Sequence, residues 1–177
     1  IVAFSAQRFT PVSDASAADD LMQLLNTNSY DKGGWVLHML RRKLGDSLFW
    51  KGIRTYYSTY AGSNANSDDV KNVFEKVSHQ NLDVFFKQWV YTAGQPMLDI
   101  QWSYDKKKKS VKIVITQQQE NIFVFPLELG IDKKTFKTID IKDRITTVQL
   151  DYAVKPLVIA PDPKVNLLFS ATVKEKN

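Results

Sequence analysis

Phe85-Phe86-Lys87-Gln88-Trp89-Val90-Tyr91-Thr92-Ala93-Gly94-Gln95-Pro96-Met97-Leu98-Asp99-Ile100-Gln101-Trp102 holds the point at which the hydrophobic period of this 177-residue chain changes. Leu82, Phe85, Phe86, Trp89 and Val90 recur at the i, i+3, i+4, i+7 spacing of an amphipathic helix, whereas Leu98, Ile100 and Trp102 alternate as in a half-buried strand. Gly94 and Pro96 stand between the two patterns, and these residue types stop helices. The stretch therefore predicts an α+β chain of two domains, a helical one over 1–95 and an antiparallel β-sandwich over 96–177.

Upstream of the switch, four helices are predicted. One starts near Asp31 with Ser29 as its cap and ends at Leu44, with Arg41, Arg42 and Lys43 in the last turn and Gly45 just past it, where a helix C-terminus favours cations and glycine. Val36, Leu40 and Leu44 form its apolar row. A second starts at Asp46 and places Phe49, Ile53, Tyr56, Tyr57 and Tyr60 at helical spacing, and these tyrosines and Trp35, Trp50 and Trp89 are spaced like core. A third, capped by Ser67, buries Val70, Val73, Phe74 and Val77; the fourth is the helix of Phe85 and Trp89. Before them, Ala17 to Leu25 reads as one short helix.

Downstream, Leu98–Trp102, Val111–Ile115, Phe123–Leu129, Phe136–Ile141 and Ile145–Leu150 alternate, with Leu157–Ile159 and Leu167–Phe169 as further strands. Asp132-Lys133-Lys134, Lys142-Asp143 and Ala160-Pro161-Asp162-Pro163 supply turn chemistry between them. Seven short strands in about 80 residues are the pattern of a sandwich.

Composition narrows the function classes. A hydrophobic content of 44% is enough for a sizeable core, and no apolar run approaches the ~20 residues that span a bilayer, so neither a transmembrane segment nor a signal peptide is expected. Without cysteine there is no disulfide and no thiolate metal site. Of the net charge of +5, four lie beyond residue 95, where Lys106-Lys107-Lys108-Lys109 sits between two alternating segments like a hairpin tip. No aromatic-studded basic stripe accompanies it, so a nucleic-acid partner is not expected. The two histidines, His38 and His79, fall in different predicted helices, so they cannot share a face as metal ligands three or four residues apart do. Asp68-Asp69 reads as a helix N-terminal acid pair, because adjacent helical residues point apart.

The run Ser29-Tyr30-Asp31-Lys32-Gly33-Gly34-Trp35-Val36-Leu37-His38-Met39-Leu40-Arg41, with Phe85-Phe86-Lys87-Gln88-Trp89 and Gly94-Gln95-Pro96, resembles the region of the M1 family of zinc metallopeptidases, the aminopeptidase N-like gluzincins, that lies just downstream of their metal site. The resemblance covers roughly residues 28–98. It implies the helical C-terminal half of a thermolysin-like catalytic domain followed by an immunoglobulin-like sandwich. The family's His-Glu-x-x-His zinc motif, its later glutamate ligand and its Gly-x-Met-Glu-Asn substrate motif do not occur in these residues. Zinc is therefore implied for the parent enzyme with ligands upstream of this chain, and none within it.

On composition alone Tyr30 reads as an aromatic core plug. The family wording around it implies instead the tyrosine that polarises the scissile carbonyl, since a phenol donates a hydrogen bond to a developing oxyanion without losing its proton at working pH. Asp31 and Lys32 carry structural roles in this reading, Lys32 as a surface or buried ion pair, and Gly33 and Gly34 let the helix approach its neighbour. The implied function is removal of N-terminal residues from peptides by the parent protein, with the peptide substrate and the upstream catalytic half of the same polypeptide as partners; the chain alone is expected to be inactive. The alternative is a catalytically decayed M1-like scaffold or interaction module. By analogy with members that end soon after the sandwich, the expected location is extracytoplasmic, periplasmic or secreted.

Overall fold

The structure, a computed structural model, describes residues 10–14, 28–132 and 135–176. The helix expected over Ala17–Leu25 and the Lys133-Lys134 part of one turn lie outside the described residues. The chain forms two compact units, 1–94 and 95–177.

In the first unit a π-helical turn, Asn28–Lys32, leads into α1 (Gly33–Leu44), followed by α2 (Asp46–Tyr60), α3 (Ser67–Ser78) and α4 (Asp83–Trp89). Val36, Met39, Leu40 and Leu44 of α1, Val73, Phe74 and Val77 of α3, and Phe85, Phe86 and Trp89 of α4 are buried. Each such side chain contributes about 1.5–3 kcal/mol through the apolar surface it removes from water. Tyr57 and Trp50 depart from their core spacing: Tyr57 is 75% exposed and Trp50 45%. Trp50 instead lies under the Arg41 guanidinium, 5.4 Å from ring centre to Cζ, while the same guanidinium bonds both Asp46 oxygens at 2.8 Å and closes the α1–α2 corner.

Hydrogen bonds fix where the helices begin. α3 is capped one residue earlier than expected, by Asn66, whose Oδ1 accepts from the Asp68 and Asp69 amides while Asp69 Oδ2 accepts from the Asn66 amide, a capping box. Asp69 also accepts from the Tyr60 hydroxyl at 3.0 Å, tying α2 to α3. Asp68 accepts from the Tyr91 hydroxyl at 2.8 Å, and burial is the first cause pushing that phenol up to about 12. Glu75 accepts the Leu82 amide, so α3 sets the start of α4.

The close approach expected of Gly33 and Gly34 occurs elsewhere. A Cβ at Gly34 would meet nothing within 4 Å among the described residues, and one at Gly33 would meet Val12 only at 3.9 Å. At Gly52, in the middle of α2, a Cβ would lie 2.4 Å from the Phe74 ring, which is fully buried. Gly52→Ala gains about 1 kcal/mol of helix propensity but overpacks the α2–α3 seam by about 2–3 kcal/mol, the upper part of the usual range because a ring must shift, so a net destabilisation of about 1–2 kcal/mol is expected. The midpoint of denaturant unfolding measures it, and an unchanged or higher midpoint would show that the seam tolerates a methyl group.

Among the described residues the second unit holds seven strands: β1 (Met97–Asp105), β2 (Ser110–Gln117), β3 (Phe125–Ile131), β4 (Thr135–Ile141), β5 (Ile145–Asp151), β6 (Ile159–Pro161) and β7 (Ser170–Glu175). They form one sheet in the order β5-β2-β1-β7 and another in the order β4-β3-β6. All pairings are antiparallel except β1 with β7, which run parallel with Met97 opposite Ser170. Leu98, Ile100, Trp102, Val111, Ile113 and Ile115 of the first sheet and Phe125, Leu127, Leu129 and Ile131 of the second are buried and make the core. Lys106–Lys109 is the β1–β2 hairpin turn, held by Asp105 Oδ1 accepting from the amides of Lys107 and Lys108. Pro126 sits in β3 where it has one neighbour, because β6 pairs only with Leu129–Ile131.

Three strand ends differ from their hydrophobic patterns, and side-chain oxygens account for each. The last strand is Ser170–Glu175 and excludes Leu167–Phe169, because buried Asp162 Oδ2 accepts from the amides of Asn166 and Leu167 and holds that segment as a loop. β6 omits Leu157 and Val158, whose amides donate to Asp132 Oδ1. β3 omits Phe123, whose amide donates to Gln117 Oε1. An amide bound by a side chain is not available to a ladder.

Candidate active site at the Tyr30 turn

Helix geometry places residues two positions apart on nearly opposite sides. In the Asn28–Lys32 turn this sends Tyr30 outward, 66% exposed, and Lys32 inward, 2% exposed. Among the described residues the Tyr30 hydroxyl has no hydrogen-bond partner, so it is a free donor at the start of α1, and the ring is not the core plug that composition suggests. α1 starts from this turn: its N-cap position is Lys32, not Ser29, and no side chain caps it. π-helical turns are rare and concentrate at functional sites.

Lys32 is the buried counterpart. Its Nζ donates to the carbonyl oxygen of Gly94 at 2.7 Å and to that of Thr92 at 3.2 Å, just past α4. Burial pulls the ammonium down from 10.5 to about 8, and among the described residues no carboxylate pairs with it. The expected ion pair is thus replaced by carbonyl acceptors. The segment that supplies them is itself fixed: the amides of Val12 and Ser13 donate to Val90 O, the Thr92 hydroxyl donates to Lys87 O, and Gly94 turns the chain at φ +81°, a conformation that favours glycine. Nothing local in the sequence marks this anchor, because its two acceptors are backbone atoms 60 and 62 residues away.

His38 lies on α1 against the Trp35 ring, with centroids 5.5 Å apart, and His79 is the exposed left-handed C-cap of α3. Among the described residues no three His, Asp or Glu side chains lie close enough together to hold a metal ion. These residues do not fit a zinc site. No helix of the described residues is long and apolar enough to cross a membrane.

Residues 4–89, which include the Tyr30 turn and α1 to α4, match the Peptidase family M1 domain. This segment is similar to peptidase family M1. The chain is 28% identical over 149 residues to "Probable aminopeptidase 2" of Sulfurisphaera tokodaii, covering 84% of this chain and 18% of that protein. It is 26% identical over 116 residues to "Aminopeptidase N" of Escherichia coli, covering 64% of this chain and 13% of that protein. The fold matches a crystal structure of Legionella pneumophila aminopeptidase A in complex with aspartic acid, with TM-score 0.70 and 14% identity over 86% of this chain and 18% of that one. The chain therefore spans less than a fifth of the length of these proteins.

Proposed function

We propose that this chain contributes Tyr30 as the carbonyl-polarising group of an aminopeptidase that releases N-terminal residues from peptides. The observation that carries the reading is the outward phenol, unpartnered among the described residues, on a turn inside the M1-matched segment. As a peptide carbonyl is attacked, its oxygen gains negative charge, and a hydroxyl held in place beforehand stabilises that charge without reorganising. Zinc, which the family implies, would be held by residues other than the described ones, and the peptide's free amine would likewise be read outside them. The 177-residue chain by itself is expected to be inactive.

The full-length protein carrying this chain, assayed with matched reporter peptides bearing a free or an acetylated N-terminus, tests the class of activity. A site built to pair a charged amine rejects the acetylated analogue, so a loss of at least about 100-fold is expected. Equal turnover of the two would remove the aminopeptidase reading.

A further inference from the structure

We propose that Lys32 is a positioning residue for Tyr30, locking the Asn28–Lys32 turn onto the carbonyls of Thr92 and Gly94 so that the phenol is held where it acts. The inference rests on the reading of Tyr30 above. Among the described residues the Tyr30 side chain has no hydrogen bond of its own, so its place depends on the backbone of the turn. Two residues on, Lys32 is 2% exposed and reaches two carbonyls of a segment that is fixed from two other sides, by Val12 and Ser13 at Val90 and by Thr92 at Lys87. A buried ammonium is costly unless its donors are satisfied, so the turn has one low-energy place, the one in which both carbonyls accept. Its lowered proton affinity agrees with that burial. Removing the ammonium leaves the carbonyls without their donor and frees the turn, and small misplacements of a catalytic group cost large factors in rate.

The test is a double-variant cycle in the full-length protein. Lys32→Met keeps the length and apolar stem of the side chain and deletes the donor. The variant is expected to lower kcat about tenfold or more with KM within about threefold. In a Tyr30→Phe background the same change is expected to cost less than about twofold, because there is no hydroxyl left to place. A role confined to stability would not show this coupling. If Tyr30→Phe lowers kcat but the losses multiply in the double variant, or if Lys32→Met keeps kcat within twofold, Lys32 does not position Tyr30 and the reading of Tyr30 stands. If Tyr30→Phe alone leaves kcat unchanged, the reading of Tyr30 falls, and the positioning role with it. Should Lys32→Met not fold, the cycle is run with Lys32→Gln, whose shorter amide reaches one carbonyl but not both, and the same outcomes decide.

Discussion

Replacing Tyr30 by Phe in the full-length protein is expected to lower kcat by about 10² to 10³, with KM changing by less than about threefold. That is the cost of losing one oxyanion donor, about 2.7–4 kcal/mol of barrier. The substitution deletes a single oxygen and keeps the ring. Because Tyr30 is 66% exposed and its hydroxyl has no partner among the described residues, no buried group is orphaned, and the melting free energy should stay within about 0.5 kcal/mol. Tyr57→Phe is the internal control, since Tyr57 is also a solvent-facing phenol, 75% exposed, but sits on α2 away from the turn in sequence. Steady-state kinetics of both variants beside their thermal melts separate catalysis from packing. A kcat for Tyr30→Phe within threefold of the parent, under about 0.7 kcal/mol, would take Tyr30 off the catalytic list.

A second large effect is expected in how stability responds to pH. Lys32 has a folded-state value of about 8 against 10.5 for the free side chain. Below pH 8 it is charged in both states, and the fold bears the cost of a desolvated ammonium. Between about 8 and 10.5 the folded protein has released the proton while the unfolded chain retains it, so stability rises with pH at up to roughly 1.4 kcal/mol per unit. The gap corresponds to about 3 kcal/mol at most. The two carbonyls at 2.7 and 3.2 Å favour the charged form and pull against burial, so a rise of about 1–3 kcal/mol is expected. Subtracting the stability of Lys32→Met from that of the parent at each pH between 7 and 10.5 cancels the other titrating groups. A difference that rises across this window is the expected result; a flat difference would mean that Lys32 is not a buried ammonium.

Much of the fold is legible residue by residue. Val73, Phe74 and Val77, and Phe85, Phe86 and Trp89, bury as their helical spacing requires, and β1 and β2 bury the alternate residues of their patterns. The tyrosines of α2 mark where spacing fails: periodicity says which residues share a face, but not how wide a face the neighbours cover, and Tyr57 falls past the edge of that cover. Gly52 is silent in the sequence for the same reason, because its meaning depends on a Phe74 ring from another helix.

What the sequence alone determined is everything carried by local period, capping chemistry and motif wording: four helices, a sheet-rich second half, the change of period between Trp89 and Leu98, and the family to which Tyr30 and its neighbours point. Only the tertiary structure decided that Tyr30 faces outward, that Lys32 is buried on carbonyls instead of a carboxylate, that β7 runs parallel to β1, and that Asp132, Asp162 and Gln117 trim the strands beside them. The bonds among these outcomes share one feature: a backbone amide or carbonyl is claimed by a side chain or by a strand, some from far along the chain as at Lys32, Asp132 and β7 and some from a few residues away as at Asp162 and Gln117, and the hydrophobic pattern does not announce it.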